Sequence, residues 1–221
     1  KIAIQKYIVN AYEKNIRNIL IITGKGYNNT GVLKREVPLW LNDQKLMSLL
    51  VNFEIAPKEF GGEGALLLQS KKRVSIITRN TNETKISVKV ELDGKGNHSI
   101  STGLPFFDHM LEQISKHSLI DLDLKCIGDL KVDAHHTMED CGWALGSAIK
   151  KALGNKKGIM RYSFNYLPMD ECLTRCCLDV SGRPWLIWNV FLPNILIKNI
   201  DTEIFREFFQ AFSQSGGFTL H

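Results

Sequence analysis

His135, His136 and Glu139 form the run His-His-x-x-Glu. Residues 133–152 carry Met138, Ala144, Leu145 and Ile149 at helical spacing, and on a helix residues three and four apart share a face. Both imidazoles can therefore converge with the carboxylate, a donor set suited to a borderline divalent ion such as Mn²⁺, Fe²⁺ or Zn²⁺. Two surface histidines at a helix start are the plainer alternative. A second segment, Gly103-Leu-Pro-Phe-Phe-Asp108-His109-Met-Leu111, sets a polar Asp-His pair inside an apolar run. Burying such a pair is costly unless it is bonded, so His109 is either a satisfied core histidine or a third nitrogen donor delivered from another helix.

Several elements must position these groups. Residues 74–92 alternate apolar and polar from Ile86 onward, which predicts a half-exposed strand closed by the turn Asp93-Gly-Lys-Gly96. A returning strand begins at residues 98–101, a helix is expected over 110–117, and 119–124 alternates as another strand leading into the donor helix. The pattern then repeats. Asn82-Glu83 and Asp93-Gly94 correspond to Asp170-Glu171 and Ser181-Gly182 at a constant offset of 88 residues. Residues 203–213 read as the counterpart of the helix bearing His109, with Glu207 opposite that histidine. Internal duplication follows, and a second His-His-x-x-Glu is expected soon after His221.

The chain has 221 residues, 44% apolar and 23% charged, as in ordinary globular proteins. Neither a membrane span nor a signal peptide is legible. Five cysteines at irregular spacing favour reduced thiols and a cytoplasmic setting over a disulfide framework. Cys172, Cys176 and Cys177 are expected to pack inside a strand. Residues 1–73 hold 12 Lys/Arg against 6 Asp/Glu, whereas 74–221 hold 16 against 17. The basicity thus belongs to the first third, which predicts two functional units, 1–73 and 74–221, joined near Lys71-Lys72-Arg73 without a flexible linker.

In the first unit Ile19–Ile22 reads as a buried strand entering the loop Thr23-Gly-Lys-Gly26. A helix is expected over 32–42 with Pro38 at its start or at a break, and a second glycine loop precedes the strand Leu66–Leu68. Glycine loops beside Lys25, Lys34 and Arg35 could bring backbone close to phosphate, making these three the candidate nucleic-acid contacts; turn glycines explain the loops equally well. Together Ile22–Gly26, Gly31–Arg35, Val37–Leu41, Phe53, Ala56 and Gly61–Ala65 resemble the later part of the Smr domain, a small α/β family associated with nucleic acids. The family's early Asp-Leu-His-Gly segment is absent, so the resemblance implies backbone binding and no catalysis here.

The second unit resembles the imidazoleglycerol-phosphate dehydratase family. The matching motifs are Arg79-Asn-Thr-x-Glu83-Thr, Leu104-Pro-Phe-Phe-Asp-His-Met110, Asp133-Ala-His-His-Thr-Met-Glu-Asp140, Gly158-Ile-Met-Arg-Tyr162, Leu167-Pro-Met-Asp-Glu171 and Val180-Ser-Gly-Arg-Pro184. The resemblance implies an α/β (α+β) fold, a duplicated two-layer sheet-and-helix sandwich of the ribosomal S5 domain 2 type, behind a small partial Smr-like domain. It implies a homo-oligomer (a 24-mer in the family), a phosphorylated imidazole substrate and two Mn²⁺ ions per complete site. It implies metal ligation by His109, His135, His136 and Glu139, acid–base work by Glu83 on a carbon-bound proton beside the imidazole, and phosphate clamping by Arg161 and Arg183. Glu207 stands where many members have His, and a carboxylate can replace imidazole on such an ion. The family's second His-His-x-x-Glu and a Ser/Lys phosphate stretch are not within the 221 residues, so this chain by itself is expected to be an incomplete fragment with little activity. The rival expectation is a nucleic-acid-binding protein led by the basic first third, with the dehydratase part inactive.

Overall fold

The computed structural model describes residues 1–14, 16–27, 30–156, 159–193, 195–198 and 200–221. Gly158, which opens the motif ending at Tyr162, lies outside the described residues. Backbone contacts divide the chain into two compact units, built on Lys1–Lys72 and on Arg73–Asn155 with Met160–His221.

The smaller unit is a three-stranded antiparallel sheet with helices. Its strands β1 (Asn18–Ile22), β2 (Leu50–Ile55) and β3 (Ala65–Ser70) lie in the order β1-β3-β2. Helices α1 (Ile2–Glu13), α2 (Val32–Leu41) and the short α3 (Gln44–Met47) supply the rest of a core that includes Ile8, Val37, Leu41, Leu46 and Leu68. Pro38 neither starts nor breaks α2 but sits within it. Its missing N–H removes one helical hydrogen bond, while its neighbours Val37 and Leu41 are fully buried and hold the helix in place.

The larger unit contains two copies of one topology. In the first, β4 (Val74–Asn80), β5 (Thr84–Glu91), β6 (His98–Ser101), α4 (Pro105–Ser118) and β7 (Asp121–Gly128) give the sheet order β4-β5-β7-β6, and α5 (His135–Leu153) packs on it. The span read as one strand over 74–92 is in fact a hairpin, broken at Thr81–Glu83. β6 and β7 are parallel and are joined through α4, whereas the other pairs are antiparallel. α4 starts earlier than the periodicity suggested because Pro105, with its fixed φ and no N–H to lose, occupies its first turn. In the second copy, β8 (Tyr162–Met169), β9 (Cys172–Asp179), β10 (Trp185–Leu186), α6 (Ile204–Gly216) and β13 (Thr219–Leu220) give the order β8-β9-β13-β10. A small hairpin, β11 (Leu196–Ile197) with β12 (Ile200–Asp201), lengthens this copy between β10 and α6 and has no counterpart in the first.

The offset of 88 carries β5 residue for residue onto β9, and an offset of 98 beyond the extra hairpin carries α4 onto α6. The equivalence reaches individual hydrogen bonds. Ser115 Oγ donates to the Ile120 carbonyl at 2.7 Å, and Ser213 Oγ to that of Phe218 at 2.6 Å. Both helices then end on a left-handed residue, Leu119 and Gly217.

The halves meet through helices. α5 lies against α6 with Gly142 and Gly146 at the contact, where a Cβ would clash with the Phe208 and Phe212 carbonyl oxygens respectively. α4 and α6 touch edge-to-face through Phe107 and Phe208, with ring centroids 5.3 Å apart. In contrast to the covered face of β5, every residue of β8 is exposed, as are Cys172 and Cys176, while Cys177 is half-buried. The expected packing role of these cysteines is not realised within one chain. Cys172 and Cys176 occupy positions equivalent to buried Thr84 and Val88, but no helix lies where α5 lies in the first copy, among the described residues.

Gly142→Val should drive side-chain atoms into the α6 backbone. The expected cost is that of overpacking, about 1–3 kcal/mol, read as a lower urea midpoint for the larger unit, whereas Gly154→Ala, outside the helix contact, should leave the α5–α6 interface intact by hydrogen exchange.

Candidate metal and acid–base centre

The first turn of α5 displays the donors. Asp133 accepts a hydrogen bond from the His135 N–H at 2.8 Å, satisfying a free amide of the helix start. Met138, Cys141, Ala144, Leu145 and Ala148 anchor the opposite face of α5 in the core, so His135, His136 and Glu139 remain on the open side, their side chains 45, 42 and 48% exposed. His135 Nε2 lies 3.4 Å from Glu139 Oε2, and the two imidazoles stack with centroids 5.7 Å apart.

His136 is held by a residue that sequence reasoning did not single out. Its Nδ1 lies 3.0 Å from Oδ2 of Asp129, the residue immediately after β7. A carboxylate accepting the Nδ1 proton leaves Nε2 with its lone pair outward, the tautomer a metal requires. The same contact holds the imidazolium above the ordinary histidine value, with further help from the negative charges of Glu83 and Asp133 and against the opposing effect of burial. The other Asp129 oxygen, Oδ1, is buried with no hydrogen-bond partner among the described residues. The only signal in the sequence is the polar Asp129 a few residues before the paired histidines, which is too common to be decisive.

His109 is on the surface of α4, 58% exposed and 3.8 Å from Glu112; it is not the buried histidine that the apolar run suggested. Its neighbour Asp108 explains that run, since it turns inward and accepts from the Thr102 amide at 2.9 Å and the Thr102 hydroxyl at 2.5 Å. Glu207 is on α6, 3.4 Å from Arg206, in a cavity of about 290 Å³ that Trp188, Glu203 and Thr202 also line. The five expected ligands therefore fall into separate sets. Among the described residues no group of three or more His, Cys, Asp or Glu side chains gathers closely enough to hold an ion. The chemistry of the donors fits a borderline divalent ion, but one chain supplies such donors as partial sets.

Glu83 lies in the turn between β4 and β5, exposed to solvent. Arg79 and Thr84, which flank this turn, both hydrogen-bond the Asp140 carboxylate, so the turn lies beside the helix that bears the paired histidines. Arg161 and Arg183 are brought together by Asp179. Arg161 forms a bidentate pair with it at 2.7 and 3.0 Å, and Arg183 Nη2 is 3.9 Å away. Arg161 holds the Asp179 carboxyl below its usual range. Near neutral pH two guanidiniums thus face one carboxylate, which leaves one uncompensated positive charge for an anion. In the smaller unit Lys34 pairs with Glu63 at 3.0 Å and Arg35 with Glu36 at 3.1 Å. The amides of Thr23 and Gly24 both donate to the Gly64 carbonyl, so these loop groups beside Lys25 are engaged internally rather than aimed outward.

The family profile described as imidazoleglycerol-phosphate dehydratase matches residues 102–221, and that of the Smr domain matches residues 1–71. The imidazoleglycerol-phosphate dehydratase of Cereibacter sphaeroides is 58% identical over 149 residues, 67% of this chain and 76% of that protein. That of Agrobacterium fabrum is 55% identical over 150 residues, 68% of this chain and 76% of the relative. The crystal structure of the Staphylococcus aureus enzyme superposes with a TM-score of 0.60 at 32% identity, covering 67% of this chain and 81% of that one. The Pyrococcus furiosus enzyme, in complex with (S)-C348, gives 0.57 at 27% identity over 66% and 77%. These similarities favour the dehydratase over a binding protein with an inactive remnant.

Because the fold favours protonated His136, the stabilisation from the Asp129 pair is complete below the ordinary imidazole value of about 6.5 and is lost as pH rises through the raised folded value. Asp129→Asn should move the His136 ring titration, followed by NMR, to lower pH and remove this pH dependence from the thermal midpoint. An unmoved titration would sink the assignment.

Proposed function

The chain belongs to the imidazoleglycerol-phosphate dehydratase family, and from that premise we propose how its own residues remove water from imidazole glycerol phosphate to give imidazole acetol phosphate, a hydro-lyase step in histidine biosynthesis. The observation that supports the assignment of roles is the bonding of the turn that carries Glu83 to α5, the helix that bears the paired histidines. Arg161 and Arg183 bind the substrate phosphate, their forks oriented beforehand by Asp179, so that one end of the substrate is fixed by charge-assisted bonds. His109, His135, His136, Glu139 and Glu207 are the metal donors, with Asp129 fixing the tautomer of His136. Mn²⁺, two ions to a complete site, would supply Lewis acidity toward the imidazole and a hydroxyl oxygen when bound.

The carboxylate of Glu83 takes the proton from carbon. The C–O bond on the neighbouring carbon breaks, the proton taken up by Glu83 leaves with the hydroxyl as water, and the enol that remains tautomerises to the ketone of the product. Exposure of Glu83 in a short turn lets it reach a substrate lying over the first turn of α5 without rearrangement of the sheet.

Homo-oligomerisation, to a 24-mer in this reading, is supported by two features. Donors of one chain do not gather by themselves, and Phe164, Tyr166 and Leu173 leave the second sheet 73, 53 and 67% exposed at those positions. Exposed aromatic surface on this scale is characteristic of interfaces. A cytoplasmic setting accords with five free cysteines, and no described helix is long and apolar enough to cross a membrane. Nucleic-acid contact through Lys25, Lys34 and Arg35 rests on the Smr match and the basic charge of the first unit.

The test is turnover of imidazole glycerol phosphate by the full chain with Mn²⁺, followed as ketone formation. Glu83→Gln should lower kcat by about 10²–10⁴-fold while leaving Mn²⁺ affinity unchanged. Arg183→Ala should raise KM by about tenfold or more, the worth of a lost charged hydrogen bond, and the deficit should shrink for a substrate analogue lacking the phosphate. No ketone at any Mn²⁺ concentration would argue against the function for this chain.

A further inference from the structure

Glu83 has no regular element beneath it to set its position. It stands in a turn, and turns are the parts of a sheet most free to move. One side chain from α5 meets that turn. Asp140, the residue after Glu139, has a side chain only 13% exposed and receives hydrogen bonds from both flanks of the Glu83 turn. Arg79, at the end of β4, donates from Nε to Oδ1 at 3.0 Å, and its Nη2 is ion-paired with the same oxygen at 2.9 Å. Thr84, at the start of β5, donates its hydroxyl to Oδ2 at 2.5 Å, and the Thr81 hydroxyl lies 3.4 Å from the same oxygen. Thr81 Oγ1 in turn accepts from the Glu83 amide at 3.3 Å and the Thr84 amide at 2.9 Å. The Arg79 guanidinium is covered by the Trp143 ring, 4.5 Å from its centroid and one helical turn from Asp140. A short series of bonds therefore runs from the Glu83 backbone to the helix that bears the paired histidines.

We propose that Asp140 is a positioning residue, which locks the turn carrying Glu83 onto the α5 helix and so fixes the acid–base group relative to His135, His136 and Glu139. The inference rests on the reading of Glu83 as the acid–base. The hairpin does not need this tie for its own register, because β4 and β5 pair continuously from Val74 with Glu91 to Asn80 with Lys85. What Asp140 adds is the placement of the turn against α5.

The second repeat supplies an internal comparison. At the offset of 88, Glu171 takes the place of Glu83, but Leu167, Met169 and Cys172 take the places of Arg79, Thr81 and Thr84. None of these three offers a guanidinium or a hydroxyl to a carboxylate. That turn is also tighter, with Met169 paired to Cys172 and Asp170 in the left-handed region. Two turns descended from one pattern thus differ at the three donor positions, and the donors are present beside the glutamate whose turn is bonded to the histidine-bearing helix. Charge-assisted bonds to a nearly enclosed carboxylate are the strong kind, which suits a device that must hold a group in place without substrate.

The test compares Asp140→Asn, Thr84→Val and Thr84→Ser in the full chain loaded with Mn²⁺. Thr84→Val keeps the shape of a buried position and removes only the hydroxyl, so it remains informative if the Asp140 variant folds poorly. Three readouts are taken: hydrogen exchange of peptides covering residues 80–86 and 135–142, Mn²⁺ affinity from the free-ion EPR signal, and kcat with KM. We expect the 80–86 peptide to exchange at least tenfold faster in Asp140→Asn and Thr84→Val. The 135–142 peptide and Mn²⁺ affinity should stay within threefold of wild type, and kcat should fall at least thirtyfold with KM little changed. Thr84→Ser, which retains the hydroxyl, should restore all of these. Unchanged exchange at 80–86, a loss of Mn²⁺ affinity as large as that of kcat, or a Thr84→Ser variant as impaired as Thr84→Val would each overturn the proposal. A wild-type chain without turnover would defeat the dehydratase reading instead, and exchange at 80–86 would then decide by itself whether Asp140 holds the turn.

Discussion

The close approach of α5 to α6 is the constraint on which the larger unit depends. Two repeats of one sheet-and-helix pattern must share a single core, and their helices can do so only if one of them presents almost no side chain at the contact. Gly142 and Gly146 meet that requirement, since the α6 carbonyl oxygens occupy the space that a Cβ would fill. Glycine in a helix interior costs about 0.5–1 kcal/mol relative to alanine, and the packing of α5, including Leu145 and Ala148, onto the sheet offsets that cost. The outward face of the same helix is thereby fixed in rotation, and the histidines ride on it.

Aspartates organise the functional face. Asp108 closes the start of α4 onto Thr102, Asp129 sets the ring of His136, Asp140 receives the Glu83 turn, and Asp179 gathers Arg161 and Arg183, the proposed phosphate contacts. Each is a short carboxylate that accepts hydrogen bonds from a group projecting into the site or from the segment carrying it. Such support matters because ligands and acid–base groups work only within a narrow range of orientations. It also means that the residues most visible as chemistry are not the ones that determine its geometry. Arg73, equivalent to Arg161 at the offset of 88, is likewise tied to an aspartate, Asp93 at 2.7 Å. Both halves thus carry a guanidinium–carboxylate pair, although the acids are not equivalent, since Asp93 corresponds to Ser181 and Asp179 to Glu91.

The repeats have diverged at the Glu83 and Glu171 turns and stayed alike where packing requires it. Ser115 and Ser213 make the same buried hydrogen bond, and the left-handed ends of α4 and α6 coincide, because both are conditions for a helix to turn back into a parallel strand. The Glu83 and Glu171 turns differ in that the flanks of the first bond to Asp140 on α5, whereas the second closes Met169 directly onto Cys172. The open faces of β8 and β9 bear the apolar pattern of a covered sheet without a helix upon them, among the described residues. This is why Cys172 and Cys176, sound packing positions by their pattern, are exposed.

The amino-acid sequence was enough for the family, the α/β class and the duplication, and it nominated residues for metal-binding, acid–base and phosphate chemistry. These are properties of residue type and spacing, and His-His-x-x-Glu on a helix or an acidic pair repeating at a constant offset can be recognised without coordinates. Only the tertiary structure decided which side chains meet. The inward turn of Asp108 and outward turn of His109 could not be read from an apolar run, because burial depends on the rotation of α4 against a core built from distant strands. The partnerships of Asp129 with His136 and of Asp140 with Arg79 and Thr84 were equally hidden. Hydrogen bonding between residues far apart in the chain is a matter of distance and angle, and spacing along a sequence specifies neither.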